Sequence, residues 1–216
     1  MMTPSSWITT STGDLIKRGK LEIGDGYRAK HSEFADSGVP FLRIGNIQDN
    51  GFRLDGADLY PDSQLDRVQN KLSQPGDCVI ATKATIGRLA YIDEATPRVL
   101  YSPQVSYWRV LDKTVLEPRF VRCWLASPEF LLQAHQAKSS TAMADYINLN
   151  DQRRMRITLP PIQVQRRIAA VVAAYDKLIQ NNLRRIAILE DMAQALYREW
   201  FVEYRFPGHE DVELVD

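Results

Sequence analysis

The 216-residue sequence is poor in the residues that build metal and redox sites. It has two cysteines, Cys78 and Cys123, with no CxxC spacing, and its three histidines are scattered along the chain. A structural zinc site is therefore not expected, and both cysteines are interpreted as buried thiols in a reducing compartment. No metal and no cofactor is predicted for this chain.

Signature motifs of the common enzyme classes are also missing. The sequence has no P-loop, no GxGxxG after a strand, no GxSxG and no HExxH, and it lacks the glycine-rich loop and proline–aromatic motif of an adenine methyltransferase. No apolar run approaches the roughly 18 residues of a membrane-spanning helix, and the first residues show no signal-peptide pattern. These absences favour a non-catalytic cytoplasmic protein without a membrane partner.

Glycine and proline do not occur between Pro161 and Phe206, and this stretch carries a heptad repeat. Apolar residues recur at alternating steps of four and three, which is typical of a helix that pairs along one stripe. At 1.5 Å per residue the helix would be roughly 60 Å long. We predict that it contacts a second helix and that the polar Asn182 fixes the register. The predicted contact residues are Ile168, Val172, Tyr175, Ile179, Asn182, Ile186, Leu189 and Leu196.

The first 160 residues instead consist of short β-like runs separated by turn-forming residues. We predict strands over 39–44, 78–82, 89–92, 104–110 and 155–159, and helices over 118–127 and from 128 toward 137. The aromatic residues Tyr107, Trp108, Phe120 and Trp124 are assigned to the core. The predicted fold class is therefore α+β. A mixed, β-rich domain covers 1–160, one long coiled-coil-forming helix covers 161–206, and a tail covers 207–216.

Cations and hydrogen-bonding side chains cluster in the turns of the first domain. The formal net charge is zero, so bulk charge does not identify a partner, and exposed Lys and Arg are common on any surface. Local clusters that combine cations with an aromatic or an amide can nevertheless hold phosphates and reach base edges. The residues of these clusters, which are the candidates for contact with DNA if the domain binds it, are Tyr27, Arg28, Lys30, Arg43, Asn46, Lys83, Thr85, Lys138, Ser139 and Ser140.

An ordered series of short motifs gives the chain a family resemblance. It resembles the specificity subunit of type I restriction–modification systems, in a half-length form with one target-recognition domain. Typical members carry two recognition domains and two conserved helices, so the chain is either a natural half-subunit or a truncated one. The Val164-Gln165 pair stands where the family usually has Glu-Gln. The matching segments are 38–47 (GVPFLRIGNI), 76–82 (GDCVIAT), 85–87, 102–105, 147–149, 159–162 (LPPI), 200–202 and 206–210.

The resemblance implies a division of labour. This chain would read a half-site in double-stranded DNA and pair with a second copy of itself through the long helix, so that a two-fold dimer recognises a split palindrome. Adenine methylation would belong to methyltransferase subunits that use S-adenosylmethionine. DNA translocation and cleavage would belong to a restriction subunit that uses ATP and Mg.

Two alternatives from other classes stay open at this point. One is a non-catalytic assembly or regulatory protein, with a protein-binding globular domain and a coiled coil. The other is an enzyme with an unfamiliar site around Asp77, Lys83 and Asp93.

Overall fold

A computed structural model describes residues 6–48, 51–83, 87–137 and 146–212. The fold is α+β, as the sequence predicts, and the five predicted strands and two predicted helices are all present with ends shifted by a residue or two. The strands are β1 Ile8–Ser11, β2 Leu21–Asp25, β3 Val39–Leu42, β4 Ile47–Gln48, β5 Gly51–Phe52, β6 Leu59–Tyr60, β7 Cys78–Ala81, β8 Leu89–Tyr91, β9 Leu100–Tyr101, β10 Val105–Val110 and β11 Arg156–Leu159. The α-helices are α1 Thr12–Lys17, α2 Pro118–Leu125, α3 Pro128–Gln136, α4 Leu149–Arg154 and α5 Ile162–Tyr197.

The central sheet has four antiparallel strands in the order β2-β10-β7-β8. Strand β10 lies inside this sheet, and five of its six residues are buried, because Val105–Val110 has apolar or aromatic side chains toward both faces. A three-stranded sheet, β6-β3-β9, contains a parallel β3–β9 pair, and two two-stranded sheets, β1-β11 and β4-β5, complete the β structure. Within the described ranges no helix is both long and apolar enough to cross a membrane.

Helices α2 and α3 cover one face of the central sheet. Each begins with proline at its first position, where the missing N–H costs nothing, and the Ser127 side chain caps α3 by accepting the Phe130 N–H. The Trp124 ring lies 5.7 Å from Trp108 and 5.3 Å from Phe130, centroid to centroid. All four aromatic residues assigned to the core from the sequence are buried, so that prediction is confirmed.

A buried ion pair ties β10 to the start of β7. The Arg109 guanidinium donates to both Asp77 carboxylate oxygens, at 2.8 and 2.7 Å, and to the Leu72 carbonyl at 2.9 Å. The Tyr101 hydroxyl and the Gln74 N–H donate to the same Asp77 carboxylate. Because each charge is satisfied in this way, the pair is tolerated in the core.

The two cysteines, which both lie in described segments, form no disulfide. Cys78 is buried, as predicted, and burial raises the pKa of its thiol, which keeps the thiol protonated and unreactive. Cys123 is only half-buried, because it lies on α2 away from the buried side of that helix.

The first turns of α5 are anchored to the β-rich domain by Gln165. Its side-chain NH2 group donates to the carbonyls of Val115 and Pro160, at 3.0 and 2.9 Å, and its Oε1 accepts the Glu117 N–H at 3.1 Å. The residue is 1% exposed. Three backbone groups from two segments, the loop before α2 and the residue that follows β11, therefore depend on one amide.

Substitution of Gln165 with leucine is expected to destabilise the chain by about 2–3 kcal/mol, because buried backbone groups would be left unpaired. Urea unfolding followed by circular dichroism measures this change. Gln163→Leu is the matched control, since Gln163 is exposed on the same turn and should change the unfolding free energy by less than about 0.5 kcal/mol. Equal effects of the two substitutions would show that Gln165 does not anchor the helix.

The described chain divides into two compact units, Met1–Val171 and Val172–Asp216. In the first unit Ile168 is partly buried against the core of the domain and Ala169 is 3% exposed. The β-rich domain therefore covers this part of the predicted contact stripe. Val172 is half-buried.

In the second unit the large apolar side chains of α5 are exposed, including Tyr175 at 65% and Leu189 at 62%. Ile179, Ile186 and Leu196 are exposed too, and so is the polar Asn182 between them. The apolar stripe that the heptad pattern predicts is therefore exposed from Tyr175 onward.

Candidate nucleic-acid interface

Two loops leave the central sheet at the same end, on either side of the first residues of β10. Ser106 pairs with Asp25, the last residue of β2, and Val105 pairs with Ala81, the last residue of β7. The chain that follows β2 and the chain that follows β7 therefore lie at one end of the sheet, beside the turn that precedes β10.

The parallel β3–β9 pair brings a third loop to this end. Leu42 pairs with Tyr101, and the Ser102 N–H donates to the Leu42 carbonyl at 3.0 Å. The Tyr27 N–H donates to the Tyr101 carbonyl at 2.7 Å. A Cβ atom on Gly26 would lie 2.0 Å from that carbonyl oxygen, so only glycine permits the approach. We call this region, formed by residues 26–33, 43–46, 82–83, 87–88 and 102–104, the loop end.

The side chain of Tyr27, the first predicted residue, forms its contacts within the chain and stabilises its own loop. Its hydroxyl donates to Glu33 Oε1 at 2.8 Å, and its ring packs edge-on against Tyr60. The Lys30 N–H donates to the other Glu33 oxygen at 2.7 Å. The Lys30 N–H and the Tyr27 hydroxyl, in that order, hold the pKa of the Glu33 carboxyl below its usual value, so the carboxylate stays ionised and the loop stays closed around it.

The next two predicted residues, Arg43 and Asn46, are also engaged within the chain. Arg43 pairs with Asp58, and its guanidinium lies over the rings of Phe34 and Phe41. Asn46 Oδ1 accepts the Arg43 N–H at 2.8 Å, and its amide NH2 donates to the Arg53 carbonyl at 3.0 Å. A bidentate contact from Asn46 to adenine would require both of these hydrogen bonds to break.

Three predicted cations at the loop end keep their side chains available. Arg28, Lys30 and Lys83 are exposed, and their side chains form no ion pair or hydrogen bond with any described residue. Lys83 forms a β-bridge with Tyr146, which joins the loop after β7 to the segment before α4. The remaining predicted residues, Thr85, Lys138, Ser139 and Ser140, lie outside the described residues, so their roles stay predictions.

Two further side chains at the loop end were not among the predicted contacts. Gln104 is exposed at the tip of the turn before β10, and its carbonyl accepts the Thr82 N–H and hydroxyl. Arg88 is exposed opposite Ala81, whose N–H donates to the Arg88 carbonyl at 2.9 Å. The sequence offers one signal for Gln104, its place directly after Ser102-Pro103 in a turn between two buried strands.

The enzyme site considered around Asp77, Lys83 and Asp93 is not assembled. Asp77 and Lys83 lie before and after strand β7, and the five residues between them, in extended conformation, place their Cα atoms about 20 Å apart. Asp77 is also fully engaged with Arg109 in the core. Among the residues that the structure describes, no group of three or more His, Cys, Asp or Glu side chains is arranged to hold a metal ion.

Comparison with known families decides the affiliation of the chain. Residues 4–191 match the family described as the type I restriction modification DNA specificity domain. The chain belongs to this family. A curated relative in the family, the type I restriction enzyme MjaVIII specificity subunit of Methanocaldococcus jannaschii, is 24% identical over 184 residues. That alignment covers 82% of this chain and 41% of the relative.

Solved structures share the fold of this family member. The S subunit of a type I restriction–modification system from M. genitalium superposes with a TM-score of 0.65 at 11% identity, over 94% of this chain and 48% of that one. The HsdS subunit from Thermoanaerobacter tengcongensis gives a TM-score of 0.58 at 21% identity, over 93% and 46%. The chain thus spans less than half the length of each of these relatives, and the resemblance found in its motifs is confirmed.

Proposed function

We propose that this chain reads one half-site in double-stranded DNA for a type I restriction–modification complex. The observation that carries the proposal is the loop end, where Arg28, Lys30 and Lys83 are exposed without an ion-pair partner among the described residues. Such cations suit phosphate contacts, while the exposed amide of Gln104 suits a base edge. The relatives are specificity subunits, which supports the same role.

Helix α5 is proposed to pair with the same helix of a second copy. Its exposed apolar stripe is larger than the scattered apolar side chains of an ordinary surface, which indicates that another chain covers it. A two-fold dimer would present two identical loop ends, so that the recognised site would be a split palindrome.

The chemistry is assigned to partner subunits. Adenine methylation would be carried out by modification subunits with S-adenosylmethionine, and cleavage by a restriction subunit with ATP and Mg. The chain itself would be non-catalytic and would determine which DNA sequence the complex acts on. An assembly protein without DNA affinity is the competing outcome, and it makes the opposite prediction for the binding assays below.

Arg28 and Arg43 provide a matched pair for testing the loop end. Arg28→Gln should lower the magnitude of the salt slope of DNA binding by about one, because one phosphate contact is lost, and should leave the unfolding free energy unchanged. Arg43→Gln should instead cost about 1 kcal/mol of stability, because the contacts with Asp58, Phe34 and Phe41 are lost. Fluorescence anisotropy over a salt series and urea unfolding measure the two effects. An unchanged slope for Arg28→Gln would remove it from the interface.

The proposed function is tested by selecting bound duplexes from a randomised DNA pool. The selecting protein is the chain assembled with its modification subunits, and the same subunits without the chain are the control. Enrichment of a split motif only when the chain is present is the expected result. A soluble, assembled complex that enriches no motif would contradict DNA recognition and favour the assembly protein.

A further inference from the structure

A second cationic surface lies beside the loop end, on elements that the predicted contacts do not include. Helices α1 and α4 pack closely, since a Cβ on Gly13 would lie 2.8 Å from the Arg153 carbonyl oxygen, and the Thr12 hydroxyl donates to the Gln152 carbonyl at 2.6 Å. Lys17, Arg153 and Arg154 line the hollow between the two helices. Arg156 opens β11 next to them, opposite Ser11. We call these four cations the α1–α4 basic surface.

The charges of this surface are not neutralised within the described chain. All four side chains are exposed, and none of them forms an ion pair with a described residue. Three carboxylates are nearby. Asp14 lines the same hollow, and Asp151 accepts the Asn148 N–H in the capping box of α4. Glu129 accepts the hydroxyl of Thr158, two residues from Arg156 on β11. Four cations against three carboxylates leave an excess of positive charge, in a chain whose formal net charge is zero.

The surface is connected directly to the loop end. The Ile147 N–H donates to the Thr82 carbonyl at 3.0 Å, and Asn148 then caps the first turn of α4. Helix α4 has six residues and is therefore about 9 Å long, and its first residue lies two positions after Ile147, so its cations lie within about 15 Å of the loop end. A hydrogen bond of 3.1 Å to Asn150 turns the Arg153 guanidinium back toward that end.

Each strand of a duplex carries one phosphate per about 3.4 Å of helix axis, so the α4 cations lie within about four or five phosphates of a half-site bound at the loop end. We propose that the α1–α4 basic surface contacts the phosphates of the DNA that flanks the half-site. It would supply affinity and orientation and would leave the choice of bases to the loop end. This inference rests on the proposed function of the chain.

The test uses the double variant Arg153→Gln/Arg154→Gln in the complex with the modification subunits, and a labelled DNA duplex of random sequence. The magnitude of the salt slope is expected to fall by about two, because two phosphate contacts are lost, and the methylated motif in cells should stay the same.

Arg98→Gln/Lys113→Gln is the matched control. It removes the same charge from the opposite end of the central sheet, where Lys113 follows β10, and should leave the slope unchanged.

Two results separate failure of this inference from failure of the proposed function. If the unmodified complex shows salt-dependent binding and the double variant has the same slope, the α1–α4 basic surface does not contact DNA although the function stands. An equal loss in the control pair would likewise overturn the inference, since it would show a response to net charge alone. If the unmodified complex has no affinity for the random duplex, the inference fails, and the selection from the randomised DNA pool decides the proposed function. Thermal unfolding confirms that the variants are folded, and Arg154→Gln alone, expected to lower the slope by about one, serves if the double variant is not.

Discussion

Aspartate at both Ile179 and Ile186 is expected to abolish self-association of the chain. Both side chains are half exposed on the apolar stripe of α5, and a helix partner would bury each substituted carboxylate without a counter-charge. The dissociation constant should rise at least about 100-fold, equivalent to about 2.7 kcal/mol. Sedimentation equilibrium of the two proteins at equal concentration measures the change.

A control with the same spacing is available off the stripe, about 100° around the helix from the two isoleucines. Gln180→Asp/Ala187→Asp places two carboxylates seven residues apart at exposed positions off the stripe, and should leave the dimer intact. Methylation in cells should be lost with the stripe variant and kept with the control. A monomeric mass for the unmodified chain, both alone and with the modification subunits, would contradict pairing through α5.

Replacement of Asp77 with alanine is expected to destabilise the domain by about 3–5 kcal/mol, which is a large share of the stability of an ordinary domain. Arg109 would keep its charge in the core, where it is 7% exposed, and the Tyr101 hydroxyl and Gln74 N–H would lose their acceptor. Urea unfolding of the full chain measures the loss.

The cause of that loss can be isolated with two further variants. Asp66→Ala removes an exposed carboxylate that accepts only the Gln69 amide, and should cost less than about 0.5 kcal/mol. The double variant Asp77→Leu/Arg109→Met removes both charges and should recover part of the stability, because the uncompensated cation is gone. A double variant as unstable as Asp77→Ala would show that lost packing, and not the unpaired charge, dominates.

Local signals in the sequence are sufficient for the regular elements that carry them. Strands such as β7 and β10 are apolar runs between turn residues, and Ser127-Pro128 is a recognisable start signal for α3. Strand β1 was not predicted because Ile8–Ser11 contains a single apolar residue, and helix α1 was not predicted because its six residues are too few for a recognisable helical period. The parallel β3–β9 contact spans two residue pairs and depends on long-range packing that no local pattern encodes.

The candidate site was predictable as a set of turns and not as a set of free side chains. The cations of the loop end lie in turns that contain glycine, and such turns can be recognised from the sequence. The engagement of Arg43 by Asp58 was not predictable, since the partner comes from another loop and the pairing exists only once β3 and β6 are aligned. The heptad pattern likewise predicts one continuous stripe, although the domain covers it at Ile168.

The most direct test of DNA recognition by this chain is methylome sequencing of a methylation-free host. The chain is expressed with its modification subunits, and the same subunits without the chain serve as the control. The account predicts methylated adenines in a split palindrome that appear only when the chain is present. A soluble, assembled complex that leaves the genome unmethylated, or an identical methylation pattern without the chain, would contradict it.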